Sequence, residues 1–179
     1  IIAEDLGFMT DSVKRLVEES GYPNMKVIEF AFDERDTGNA SDYLPHNYTK
    51  NCVVYTGTHD NDTVMGWIPA MSRKDLAFAK KYIGVKRTSD ICSSLIRMAY
   101  ASVADTAIIP IQDYLELGSE ARINTPSTLG DNWKWRMKDG AFTKELAAQI
   151  KEMTITYGRA PRNVKKDDAP VKKAGKKTE

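Results

Sequence analysis

The chain has 179 residues, of which 41% are apolar, and its 26 lysines and arginines nearly balance 25 aspartates and glutamates. The formal net charge of +1 gives no overall attraction to nucleic acids or membranes, and no apolar run approaches the roughly 18 residues of a membrane span. The first residues resemble no targeting leader. Two cysteines, Cys52 and Cys92, are too few for a disulfide framework and lack metal-binding spacing. We therefore expect a globular, cytoplasmic protein without a bound metal.

Four short apolar runs are predicted to be strands. They span residues 1–4, 25–32, 52–56 and 107–111. The runs show little alternation of polar and apolar side chains, which is typical of strands buried on both faces of a parallel sheet.

Helical patterns separate these runs. Thr10 can cap a helix that ends at Gly21, and residues 72–75 resemble a capping box that opens another helix. Apolar spacings of three and four predict further helices over residues 89–103 and, more weakly, 144–157.

The order of strands and helices predicts an α/β parallel sheet with right-handed crossovers, either open and doubly wound or part of a barrel. Four strands cannot close an eight-stranded barrel, which typically takes about 250 residues. We therefore expect residues 1–160 to be the back half of a larger unit.

The C-terminal segment, residues 161–179, is predicted to be a disordered tail. It carries seven lysines and arginines against three acidic residues, and valine is its only large apolar residue type. A polybasic arm for nucleic acid or a membrane is the alternative interpretation, which the mildly acidic remainder of the chain disfavours.

Polar side chains follow each predicted strand, where active sites of parallel α/β sheets lie. Glu4, Asp33, Asp60 and Asp113 stand at these four ends, with His59 beside them. Such a set suits metal-assisted hydrolysis, phosphoryl transfer on a metal, or glycosyl transfer. No phosphate-loop or zinc motif accompanies it, so glycosyl transfer is favoured.

Six sequence segments together carry a family resemblance. They are IAEDLG (2–7), KVIEFAF (26–32), LPHNY (44–48), YTGTHDNDT (55–63), RINTPST (122–128) and NWKWR (132–136). Over about residues 1–160 the chain resembles the C-terminal part of a 4-α-glucanotransferase, from the amylomaltase or disproportionating-enzyme family of the α-amylase clan. The resemblance implies the C-terminal half of a (β/α)8 TIM barrel, incomplete in this chain.

The resemblance also implies an activity and its site. The activity is retaining transfer of an α-1,4-glucan segment, from a maltodextrin, starch or glycogen-type substrate, onto the 4-hydroxyl of glucose or a maltodextrin. No cofactor, nucleic acid or membrane partner is expected. Glu4 matches the general acid/base, and Asp60 the carboxylate that stabilises the transition state. His59, Asp33 and Asn124 match positions that bind sugar hydroxyls.

In that family the nucleophilic aspartate precedes the segment that matches Ile1, so we expect these 179 residues to be an inactive fragment. Two alternatives stay open: an α-glucan hydrolase of the same clan and a non-catalytic glucan-binding module. Trp133 and Trp135 suit sugar stacking or core packing about equally. His46 is expected to fix a loop outside the site.

Overall fold

The computed structural model describes residues 1–7, 9–33 and 40–161 of the chain. The predicted tail, residues 161–179, lies outside these ranges apart from its first residue. The division between a body over residues 1–160 and this tail therefore remains a prediction. Among the helices of the described ranges, none is long and apolar enough to cross a membrane.

Three parallel strands form a sheet in the order of the chain. They are β1 (Asn24–Val27), β2 (Cys52–Tyr55) and β3 (Thr106–Ile108). In the register of the sheet, Val54 of the middle strand pairs with Lys26 on one side and Ala107 on the other. Consecutive parallel strands joined by helical connections are the predicted α/β arrangement.

Six α-helices and six short 3-10 helices surround or connect the strands. The α-helices are α1 (Asp11–Ser20), α2 (Val64–Trp67), α3 (Arg73–Ile83), α4 (Ile91–Ala101), α5 (Ile111–Tyr114) and α6 (Lys144–Thr156). The 3-10 helices are Ile28–Phe32, Ala40–Tyr43, Pro45–Asn47, Ile68–Ala70, Thr88–Asp90 and Ser119–Ala121. These counts apply to the described residues, and all four predicted helices are among them.

Local capping chemistry fixes the ends of two helices as predicted. The Thr10 hydroxyl accepts the N–H of Val13 at 3.4 Å, and Gly21 ends α1 with a left-handed φ of 66°. The Ser72 hydroxyl accepts the N–H of Asp75 at 3.1 Å to start α3. Each cap satisfies a backbone group that the helix itself leaves unpaired.

The first predicted strand, residues 1–4, is reduced to a single parallel bridge between Ala3 and Asn24. The side chain of Asp5 replaces the rest of the ladder. Its carboxylate accepts the N–H of Met25 and the amide of Asn24, both at 2.9 Å. The bond to Met25 occupies a main-chain donor that a longer ladder would use, so the predicted strand extent is wrong.

Two other predicted strands are too long. The run over residues 25–32 is a strand only as far as Val27, because Ile28–Phe32 winds into a 3-10 helix. Four of the five residues in that helix are buried, and an apolar run of this kind does not distinguish strand from helix. The last strand stops at Ile108, since Pro110 has no N–H to donate to a ladder.

The hydrophobic core lies between the sheet and the helices α3 and α4. Val54 of β2, Ala79 of α3 and Leu95 of α4 are all fully buried within it. Full burial of an aliphatic side chain contributes about 1.5–3 kcal/mol. This packing fixes the position of the sheet. The segments that follow its carboxyl edge therefore begin at fixed positions.

Candidate functional site

A cleft of about 740 Å³ lies at the carboxyl edge of the sheet and brings together four of the five predicted site residues. Its polar lining includes Glu4, Asp33, His59 and Asp60. The first follows the bridge residue Ala3, the second ends the 3-10 helix after β1, and the last two follow β2. Apolar side chains complete the lining: Leu6, Met25, Phe30, Tyr43 and Pro126.

The turn after β2, residues 57–62 and hereafter the β2 turn, presents the histidine and the aspartate. Within it the Asn61 side-chain oxygen accepts the N–H of Thr58 at 2.9 Å and the hydroxyl of the same residue at 2.7 Å. The Thr58 hydroxyl in turn accepts the N–H of Asp60 at 3.2 Å. The turn is therefore tied internally, while the side chains of His59 and Asp60 stay 52% and 47% exposed.

Asn124, the fifth predicted residue, is joined to the same group. Its side-chain amide donates to Asp60 Oδ1 at 2.6 Å, and its backbone N–H donates to the His59 carbonyl at 3.1 Å. His59 Nε2 lies 3.2 Å from the same carboxylate oxygen. Asp60 Oδ1 is thus held by protein groups, and this arrangement orients the carboxylate plane.

Arg122 is part of the site although the sequence did not single it out. Its guanidinium donates to the carbonyl of Asp60 at 2.6 Å and to the carbonyl of Asn124 at 2.8 Å. One side chain therefore joins the β2 turn to the segment that follows Ser119–Ala121. A basic residue two positions before Asn124 in the RINTPST segment was the available signal.

The two tryptophans of the NWKWR segment face different places. The Trp133 ring lies 5.1 Å from the His59 ring at an interplanar angle of 35°, and it is 56% exposed. Core packing is therefore excluded for Trp133. Trp135 lines a separate groove of about 660 Å³ together with Asp62 and Ser119.

Two further polar residues lie outside the cleft. The fourth strand end was expected to converge on it, but Asp113 is 1% exposed and accepts the Thr56 hydroxyl at 2.5 Å and the Val64 N–H at 2.9 Å. Burial raises the pKa of Asp113, and these two hydrogen bonds oppose the shift. Asp113 thus connects the end of β2 to the start of α2 in the protein interior.

His46 pairs with the Tyr82 hydroxyl at 2.7 Å, away from the cleft, as predicted.

Comparisons with known proteins bear on this site. A family model described as 4-alpha-glucanotransferase matches residues 1–143. The chain is 50% identical over 160 residues to the 4-alpha-glucanotransferase of Clostridium butyricum, covering 89% of this chain and 32% of that protein. It is 46% identical over 160 residues to the 4-alpha-glucanotransferase of a Synechocystis species, covering 89% and 31%.

The structural comparison agrees with the sequence comparison. The amylomaltase from Streptococcus agalactiae, solved in complex with acarbose, matches with a TM-score of 0.82 and 39% identity over 89% of this chain and 32% of that one. The chain spans about a third of the length of these relatives. The sheet and its helices are therefore part of a TIM barrel, as predicted. The chain belongs to the 4-alpha-glucanotransferase family.

Proposed function

We propose that this chain supplies part of the active site of a 4-α-glucanotransferase, a retaining enzyme that moves an α-1,4-glucan segment onto the 4-hydroxyl of glucose or a maltodextrin. The observation that carries the proposal is that one cleft is lined by all four of these side chains: Glu4, Asp33, His59 and Asp60. The chain that forms this cleft belongs to the 4-alpha-glucanotransferase family. The acarbose bound to the Streptococcus agalactiae relative supports a glucan as the ligand.

Glu4 is the proposed general acid/base. It is exposed in the cleft, so a glycosidic oxygen can reach its carboxyl group. In the first step Glu4 gives its proton to the leaving oxygen, and in the second it takes the proton from the incoming 4-hydroxyl. A retaining mechanism also needs a carboxylate nucleophile about 5–5.5 Å from the acid. We propose that this aspartate belongs to a strand upstream of Ile1, which makes residues 1–179 inactive alone.

Asp60 is the proposed stabiliser of the positively charged transition state. Because Asn124 and His59 occupy its Oδ1, Oδ2 remains for a sugar hydroxyl. A hydrogen bond from that hydroxyl strengthens as charge develops on the ring. His59, Asn124 and Asp33 are the proposed additional sugar contacts, each with a polar group suited to hydroxyls.

A chimera tests the proposal. The part of the Clostridium butyricum relative that precedes the matched segment is joined to Ile1 of this chain, and the product is incubated with maltotriose. We expect glucose together with maltodextrins longer than three units, and no turnover by residues 1–179 alone. Glucose and maltose without longer chains would indicate the hydrolase alternative. A folded chimera that binds maltotriose without turnover would indicate the glucan-binding module.

We also propose a cytoplasmic location and a role in carbohydrate metabolism. The support for a reducing compartment is chemical, because Cys52 and Cys92 are both buried and free. Fractionation of the source cells, with an antibody against this chain, tests the location. The relative from Arabidopsis thaliana is named as chloroplastic/amyloplastic, so recovery in a plastid fraction is the contrary result.

A further inference from the structure

A buried carboxyl group lies directly beneath the β2 turn. It belongs to Glu29, in the 3-10 helix that follows β1, and this residue is only 3% exposed. Its backbone N–H donates to the carbonyl of Thr56 at 3.3 Å, which ties the helix to the end of β2. Within the part of the chain that the structure describes, Glu29 Oε1 is buried without a hydrogen-bond partner. Buried polar atoms in proteins are nearly always hydrogen-bonded, so an unpaired carboxyl oxygen at this position calls for an explanation.

Gly57 lets the β2 turn approach this carboxyl group closely. A Cβ atom at position 57 would lie 3.0 Å from Glu29 Oε1 and 3.2 Å from the Cβ of Asn61. The backbone at Gly57 therefore lies close to both the Glu29 carboxyl group and the Asn61 side chain, and a side chain at position 57 would displace them.

A chain of hydrogen bonds leads from Asn61 to the backbone of Asp60. Asn61 lies next to Glu29, since both border the position that a Cβ atom of residue 57 would take, and its side-chain oxygen accepts both the N–H and the hydroxyl of Thr58. The Thr58 hydroxyl holds the N–H of Asp60. Glu29 is thus connected to the backbone of Asp60 through Asn61 and Thr58.

The surroundings of Glu29 favour its neutral form. Burial raises its pKa well above the usual value, and the nearby carboxylates of Asp113 and Asp62 raise it further. The Arg122 guanidinium and the Asn61 side chain act in the opposite direction but do not outweigh them. A neutral carboxyl group can both donate and accept a hydrogen bond, so it can support the turn without adding a buried charge.

We propose that Glu29 is a positioning residue, a buried acid that holds the β2 turn through Asn61 and so sets the placement of His59 and Asp60. The proposal rests on the proposed transferase function. Glu29 does not touch the substrate in this account. It acts on catalysis only through the turn above it.

Two substitutions in the chimera distinguish this role from simple packing. Glu29→Gln keeps the shape, the neutrality and the hydrogen-bonding capacity, and we expect kcat on maltotriose within about twofold of the parent at neutral pH. Glu29→Met fills a similar volume without hydrogen bonds, and we expect kcat about tenfold lower, since a loss of that size follows from one weakened transition-state contact. Parental kcat in Glu29→Met would overturn the proposal, as would equal impairment in both variants.

The pH profile supplies a readout that packing alone would not change. In the parent, rising pH ionises Glu29, and repulsion between this charge and the Asp62 carboxylate then displaces the β2 turn, so kcat falls. We expect the alkaline decrease to be smaller in Glu29→Gln than in the parent, and an unchanged profile would contradict the proposal. If Glu29→Met does not fold, as judged by its thermal transition, this profile decides alone. An inactive parent chimera refutes the proposed function, whereas an active parent with these variants unchanged refutes only this inference.

Discussion

Replacing Asp60 by Asn in the chimera separates charge from shape at the sugar site. The Asn124 amide can still donate to the side-chain oxygen at position 60, so the 2.6 Å contact that orients this side chain is retained. Arg122 binds the carbonyl of residue 60 and is not affected by the change. The variant should therefore fold with a Tm within about 2 °C of the parent, since no buried contact is lost.

We expect the substitution to weaken the stabilisation of the transition state. The substituted side chain has no negative charge, and its amide group faces the position where Oδ2 of Asp60 would accept a sugar hydroxyl. Removing one preorganised contact of this kind costs about 2.7–4 kcal/mol, which lowers kcat about 10²- to 10³-fold. We expect KM to change by less than about threefold, because the contact strengthens mainly as charge develops.

The assay is the initial rate of glucose release from maltotriose, with longer products separated by chromatography. Asp105→Asn is the matched control, because Asp105 immediately precedes β3, at the opposite edge of the sheet, and its side chain forms an exposed pair with Lys50 at 3.7 Å. Its kcat should equal that of the parent. A kcat for Asp60→Asn within threefold of the parent would refute the role assigned to this carboxylate.

Three other predictions concern the surroundings of the site. Arg122→Ala removes the hydrogen bonds to the carbonyls of Asp60, in the β2 turn, and of Asn124, in the following segment, and we expect kcat at least about tenfold lower in the maltotriose assay. Trp133→Ala removes an exposed ring next to His59, and KM for maltodextrins should rise about three- to tenfold because stacking contributes about 0.5–1.5 kcal/mol. Burial raises the pKa of Glu29, so the folded state loses stability as pH rises above the ordinary Glu value; the gain in Tm from Glu29→Gln should be small at pH 4 and larger at pH 8. Equal gains at both pH values would show that Glu29 ionises normally.

Local sequence signals predicted the helix ends well. Thr10 and Ser72 cap their helices through bonds within three residues, so the information lies in the sequence nearby. Strand ends were less predictable, because the 3-10 helix over Ile28–Phe32 depends on tertiary contacts such as the bond from Glu29 to Thr56. An apolar run does not contain that information.

The same limit applies to the site. The motif resemblance named the residues that meet in the cleft, because their side chains project from strand ends in a known order. It did not single out Arg122, whose role is a long-range bond to a carbonyl 62 positions away. It also missed Glu29, which was read as part of a strand. Glu29 is the single acidic residue within the apolar run of residues 25–32. Its position there was the available signal of a buried carboxyl group.

The proton-transfer role of Glu4 is tested most directly by the rate at which the chimera and its Glu4→Gln variant form maltodextrins longer than maltotriose. Glu145→Gln, an exposed change in the first turn of α6, is the control. We predict a rate about 10²- to 10⁴-fold lower for Glu4→Gln, the usual contribution of general acid/base catalysis, with an unchanged Tm and a parental rate for the control. A Glu4→Gln variant that forms these products at the parental rate would contradict the account.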